Sequence, residues 1–434
     1  MNGPAIAIEG AGGVKSGAMG AQRTVMALGL LAALAAGAGR AAAQTRIGQY
    51  EDEAPLRTWN AAPFTLASAL GRGGTSFTFA SDPSAGDSNP ALLPLLPRFS
   101  AAVQGFYEAA SVAKAGPIGT GVFLTNGNLS ASQAGIDFLG VAVRAGRWGF
   151  AVGVRQEESY LRPGAAYEES AASASANGYA IAWSQTGSLR IVNAAFGVIL
   201  GRGLSLGLGV NLVTGSLRRS LVEQVTGPGG YRISDLVTQD FGGLYLNGGL
   251  LWAPSSRFRA AAVIRTPYDR KSSARSALDY QAPDGNTDIS IAASSQDIAR
   301  QPLMVGVGGS TDLTASLTLA LEASYFRWSA YALEYFGEAQ DRPFRDVVRL
   351  SAGLEWKQTI PLFGTAFDMP TRIGLIYDPQ PTTDPSSVYG DLTIGTGLAA
   401  GRFRLDLATL FGREWGSGNA LVTRKIALSL VFQL

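Results

Sequence analysis

The last eleven residues, Arg424 to Leu434, constrain this chain more than any other stretch. Ile426, Leu428, Leu430, Phe432 and Leu434 are apolar, while Lys425, Ala427, Ser429 and Gln433 between them are small or polar; only Val431 breaks the alternation. A period of two gives a strand with one greasy face. The pattern recurs upstream. Leu204, Leu206, Leu208, Val210 and Leu212 alternate with Ser205, Gly207, Gly209 and Asn211. Val348, Leu350, Ala352, Leu354 and Trp356 oppose Arg349, Ser351, Gly353 and Glu355. One such strand suits a soluble sandwich. Repetition through most of the chain, with only 16% charged residues and turns that alternate short and long, points to a closed membrane barrel.

Strands are predicted over 99–113, 132–145, 148–160, 188–200, 203–220, 237–253, 256–270, 288–310, 314–330, 344–357, 371–378, 390–400, 402–412 and 424–434. That is fourteen, an even number as bacterial barrels require. Pro302 cannot donate to a ladder, so it marks either a bulge or a break in 288–310. Gly146-Arg147, Gly201-Arg202, Pro254-Ser255, 311–313 and Gly401 are tight turns, and 358–370 is their longer counterpart. Long segments follow the odd strands, at 114–131, 161–187, 221–236, 271–287, 331–343, 379–389 and 413–423. Short periplasmic turns opposite long outer loops are the barrel pattern.

The chain has 434 residues and neither Cys nor His. Absent Cys excludes disulfides and thiolate sites. Absent His excludes Ser-His-Asp catalysis, HExxH zinc sites and imidazole shuttling. No enzyme activity, cofactor or metal is expected. A net charge of +2 gives no argument for a nucleic-acid partner. The N-terminus reads as an export signal over 1–43. Arg23 precedes an apolar run, Val25 to Ala36, and Ala41-Ala42-Ala43 fits a cleavage site. That signal is long, and a start at Met19 brings it into the usual range. Residues 44–97, rich in Gly, Ala, Pro and Ser, form a compact segment before the barrel at 98–434.

The polar strand faces define a lumen. Its candidates are Arg155, Arg259, Arg265, Glu322, Arg349, Glu355, Arg372, Arg404 and Asp406, six positive and three negative. Mixed signs favour cross-linking by charge-assisted hydrogen bonds over an ion-selective path, which calls for one dominant sign at a constriction. Trp148, Trp252, Trp328 and Trp356 fall near strand ends, where an interfacial girdle is expected.

Ser81-Asp82-Pro83-Ser84-Ala85-Gly86-Asp87-Ser88-Asn89-Pro90-Ala91-Leu92 resembles the run before the first barrel strand of the FadL/TodX-like family of long-chain fatty acid and toluene transporters. Leu246 to Pro254 with Arg259 to Thr266, Glu322 to Tyr325 with Trp328-Ser329, and Arg372, Gly374, Asp378 and Pro381 are similar to further family motifs, in order. The resemblance implies a fourteen-stranded antiparallel barrel plugged by an N-terminal hatch. It implies passive uptake of hydrophobic molecules across a bacterial outer membrane. The terminal Leu434 and the small-residue loops 161–187 and 221–236 depart from the family. Candidate hatch and gating residues are Asp82, Asn89 and Pro90; candidate ligand contacts are Phe77, Phe79, Leu92, Leu93, Phe106 and Phe241. Expected partners are outer-membrane lipid, a hydrophobic ligand and the barrel assembly machinery, with the protein a monomer. The alternative is a non-conducting barrel that anchors a secretion or surface partner. A general porin needs an open polar lumen, which the hatch opposes.

Overall fold

The computed structural model describes residues 66–79, 81–112, 123–124, 130–169, 178–227, 229–282, 288–340, 343–362, 364–383, 386–416 and 421–434. The export signal at 1–43, Met19 and residues 44–65 lie outside the described residues. Fourteen wall strands run antiparallel. They are β1 (Phe99–Val112), β2 (Ser130–Ala145), β3 (Trp148–Ser159), β4 (Gly178–Gly201), β5 (Leu204–Thr226), β6 (Tyr231–Trp252), β7 (Phe258–Arg265 and Tyr268–Gln281), β8 (Asp288–Gln301 and Met304–Asp312), β9 (Leu317–Phe326), β10 (Val347–Trp356), β11 (Thr371–Pro379), β12 (Val388–Ala400), β13 (Phe403–Trp415) and β14 (Leu421–Gln433). Each pairs with its sequence neighbours, and β14 pairs with β1 from Ser100↔Gln433 to Val112↔Leu421. The sheet therefore has no free edge along the wall.

The alternation places its two faces as expected. Along β14, Ile426, Leu428 and Leu430 are 43–49% exposed on the outside, whereas Ala427, Ser429 and Val431 are fully enclosed. Phe403, Leu405, Leu407 and Phe411 on β13 face outward beside them. Trp148, Trp252, Phe258, Trp356 and Phe403 ring the short-turn end, and Tyr107, Tyr325, Tyr377 and Trp415 lie toward the other end. Twelve residues separate Phe403 from Trp415. At about 3.3 Å per residue and a tilt of roughly 40°, that is about 30 Å of height, the thickness of a hydrocarbon core. Trp328 does not join the ring. It is buried in a cluster with Tyr331, Phe344 and Val347, because the chain leaves the wall in a 3-10 turn, Trp328–Ala330, immediately after β9.

Several expected loops are strand. β4 begins ten residues before the expected start, β5 continues to Thr226 and β7 to Gln281. Above the membrane both strand faces meet polar surroundings, so alternation no longer marks a strand there. The stretch 358–370 contains a small hairpin, Thr359–Leu362 with Thr365–Asp368. The break at Pro302 interrupts one wall strand instead of dividing two. Pro267 interrupts β7 at the same level, since Tyr268 pairs Gln301 and Arg265 pairs Met304 on either side. Neither proline has a backbone donor, so the ladder parts on both strands together.

Candidate functional site

Residues 66–79 and 81–97 lie inside the barrel, folded as two short helical turns, Ala67–Leu70 and Ala85–Ser88, and a 3-10 helix, Pro90–Leu95. The segment is too short for a core of its own, and its buried residues pack on the inner wall instead. Leu92, Leu93 and Leu96 cluster with Ala142, Ala151, Ala195 and Leu251. Leu70 packs against Ile376, Ala408 and Leu410.

Two kinds of contact seat the segment. The first is ionic, on β9–β13. Arg72 Nη1 donates to Glu355 Oε2 at 2.6 Å, and Arg372 Nε donates to the same oxygen at 2.7 Å. Arg372 Nη1 reaches Asp406 at 2.7 Å, and Arg404 Nε reaches the other Asp406 oxygen at 2.7 Å. Arg404 then returns to the segment, donating to the Ser81 carbonyl at 3.0 Å and lying 3.4 Å from Asp82. Glu322 accepts from the backbone N–H groups of Ser76 and Phe77 at 2.7 and 2.6 Å. Charges removed from water persist only when paired and hydrogen-bonded, and every link of this chain has such a partner, although Arg72 Nε and Nη2 have none among the described residues.

The second kind is made of amides and glycines, on β3–β6. Asn193, Asn211 and Asn247 form a ladder with 2.8 Å steps, and Asn247 Nδ2 donates onward to the carbonyls of Gly86 and Asp87 at 3.0 and 2.9 Å. Asn89 caps the 3-10 helix by accepting from Ala91 N–H, and its amide donates to the Phe77 carbonyl at 2.7 Å. Gly149, Gly197, Gly207 and Gly249 face this stretch so closely that a Cβ on any of them would collide with the backbone at Leu93 or Pro90, or with Asn89. These wall glycines exist to admit the inner segment.

All nine lumen candidates lie on the inward-facing side of their strands. Arg155 contacts Asp87 at 2.9 Å and pairs with Glu157, which in turn meets Arg265 at 3.3 Å. Arg259 donates to the Thr78 carbonyl at 3.4 Å, and Arg349 lies over the Phe326 ring at 5.3 Å. Of the gating candidates, Asp82, Asn89 and Pro90 all sit at contacts between segment and wall.

A cavity of about 260 Å³ lies between the inner segment and the long-loop end. Leu70, Phe77, Leu189, Met304, Phe326, Trp328, Val347 and Ile376 give it apolar surface; Arg155, Arg265, Arg270, Glu322 and Arg349 give it charge. Among the ligand candidates Phe77 lines this cavity. Phe241 stands behind it, 5.4 Å from the Tyr160 ring and under Arg270 at 4.9 Å. Leu92 and Leu93 are sealed between segment and wall, Phe79 lies under the Arg72 guanidinium, and Phe106 lies under Lys425, so none of the four reaches it. Sequence reading missed Tyr268, which lines the cavity, and Tyr160 and Tyr245, which pack behind it with Phe241, and it assigned Trp328, also in the lining, to the girdle. Their convergence comes from elements far apart in the chain and leaves no local pattern. Among the described residues no group of three or more carboxylates is placed to hold a metal ion.

A fourteen-stranded barrel with an apolar outer wall and an occupied lumen defines a class of architecture: closed β-barrels with an inward-folded N-terminal segment. Solved structures with this fold include toluene transporters and a monoaromatic hydrocarbon channel. The toluene transporter TbuX of Ralstonia pickettii superimposes with a TM-score of 0.59 at 17% identity, covering 86% of this chain and 98% of that one. A FadL homologue of Pseudomonas aeruginosa gives 0.61 at 15%, and the toluene transporter TodX of Pseudomonas putida 0.60 at 13%, each covering 86% of this chain and 99% of the other. No protein-family model and no curated protein sequence matches the chain. The chain has the fold of the FadL-type outer-membrane channels.

Proposed function

We propose that the protein is a passive bacterial outer-membrane channel for hydrophobic small molecules, either long-chain fatty acids or aromatic hydrocarbons. Residues 66–97 act as its hatch. The observation that carries this reading is the cavity on the long-loop side of the inner segment, where Phe77, Met304, Phe326 and Trp328 give a ligand apolar surface directly above the element that blocks its way. A hydrophobic solute crosses a polar leaflet slowly, and a protein path of this kind lowers that barrier. The hatch is held by hydrogen bonds and ion pairs together with the apolar packing of Leu70, Leu92, Leu93 and Leu96, so displacement has to release both. A second reading, a non-conducting barrel that anchors a partner, draws on the same ion-pair chain, since a lumen this heavily cross-linked also serves as a rigid pillar.

Two measurements separate them. Cells with and without the protein are given labelled fatty acid and labelled toluene. Faster uptake of either supports the channel; no difference for any hydrophobe overturns it. The second uses the absence of cysteine. A Cβ on Gly86 comes 3.3 Å from the Ala195 Cβ, near disulfide reach. Gly86→Cys with Ala195→Cys should stop uptake when oxidised and restore it on reduction. Unchanged uptake in the locked form would show that the hatch does not move.

A further inference from the structure

The outer wall carries a second concavity, unrelated to the lumen. It runs across β8 to β13 with a volume of about 1,030 Å³. Strand register explains it. Val307, Ala323, Leu350, Tyr377, Gly390 and Arg413 stand opposite one another on successive strands. The next outward-facing row runs from Gly309 to Phe411, with Ala352 in the middle, and is continued by Arg424 on β14. Large side chains flank positions where Gly or Ala leaves the wall thin, so the rows enclose a furrow. With strands tilted as in other barrels, a row perpendicular to them climbs across the membrane. It leaves β8 three residues from that strand's short-turn end and arrives at Arg413 and Arg424 near the long-loop end.

Those two arginines set the chemistry. Both are exposed and face outward on adjacent strands, on a diagonal, because Arg424 pairs Phe411 and Arg413 pairs Val422. Ten residues separate Arg413 from Phe403 at the lower girdle, which is roughly 25 Å of height, the upper boundary of an apolar band. Trp415 and Tyr377, aromatic residues suited to the interface, flank it. Arg300, exposed on β8, has Asp269 at 3.5 Å. Neither Arg413 nor Arg424 has an ion pair among the described residues.

We infer that this furrow is a binding site for an anionic lipid of the leaflet at the long-loop end that carries a phosphate monoester, its phosphate on Arg413 and Arg424 and an acyl chain along the trough past Ala323 and Ala352 toward Gly309. Guanidinium groups match phosphate oxygens in a bidentate way, and at headgroup depth two of them compensate a charge that one neutral lipid cannot supply. The site is independent of transport, and failure of either reading leaves the other intact.

The test uses the full protein in phosphatidylcholine nanodiscs titrated with phosphatidic acid, with bound lipid counted by native mass spectrometry. The expected result is one phosphatidic acid retained per barrel in preference to phosphatidylcholine. Arg413→Gln with Arg424→Gln should weaken retention by about tenfold or more. Arg300→Gln should not change it. Ala323→Leu with Ala352→Leu, which fills the trough and leaves the arginines, should shorten retention too. Heat-modifiable gel mobility shows that each variant is a folded barrel. Equal retention by wild type and the double arginine variant overturns the inference, as does equal retention of phosphatidylcholine and phosphatidic acid.

Discussion

The two sides of the lumen hold the same inner segment by different means. On β9–β13 the wall presents charges, and Arg72 and Asp82 join an unbroken chain through Glu355, Arg372, Asp406 and Arg404. On β3–β6 it presents an asparagine ladder and glycines that let backbone meet backbone. The charged side depends on every member being present, because a buried charge that loses its partner is costly. The amide side depends on shape and tolerates the loss of one hydrogen bond better. A segment held this way has a firm edge and a fitted edge, and displacement would open the two by separate steps.

Substitutions on either side test that difference. The largest effect is expected from Arg372→Ala, which leaves Glu355 and Asp406 without their shared partner and should cost about 3–5 kcal/mol. Urea unfolding in detergent micelles measures it, and limited proteolysis shows whether the inner segment is released. Gly207→Leu should cost less, about 1–3 kcal/mol, by forcing Pro90 and Ala91 away from the wall. If its cost exceeds that of Arg372→Ala, the fitted edge and not the charged one dominates. The smallest effect concerns Asp346, outside the wall strands, where Tyr325 Oη donates to one carboxylate oxygen and Ser329 N–H to the other at 2.8 Å. The Tyr325 hydroxyl above all, helped by Ser329, holds the Asp346 carboxyl below its ordinary value. A lowered folded-state value means that its contribution is complete above the unfolded range near about pH 4 and fades as pH falls through the folded value. Asp346→Asn should therefore match wild type in thermal stability at acid pH and fall slightly below it near neutrality. A gap that persists unchanged into acid would remove this carboxylate as its source.

How much was legible follows from where each residue lies. Alternation exposed the fourteen strands because lipid outside and lumen inside impose opposite demands on neighbouring residues. The same parity located Arg372, Glu355, Asp406 and the other lumen charges. It said nothing of their inner partners, since Arg72, Asp82 and Asp87 lie in a stretch without period. It also lost the upper reaches of β4–β7, where residues such as Glu223, Gln224 and Thr226 sit in strand without an apolar face to mark it. Pro302 signalled an interruption, but only pairing showed that Pro267 shares it. Trp328 looked like a girdle residue by position and is a buried one by fold.

The seam between β1 and β14 has a consequence for assembly. Ser100 and Gln433 pair across almost the whole described chain, and Phe99 exchanges backbone hydrogen bonds with Leu434 at 3.1 and 2.9 Å. Every other wall strand meets a partner close by in sequence. Until the final strand arrives, a nascent sheet of thirteen strands has two open edges, each a template for wrong pairing. The most distant contact in the wall is also the one that removes both. Closing the wall therefore carries the largest loop-closure cost in chain entropy of any contact between wall strands.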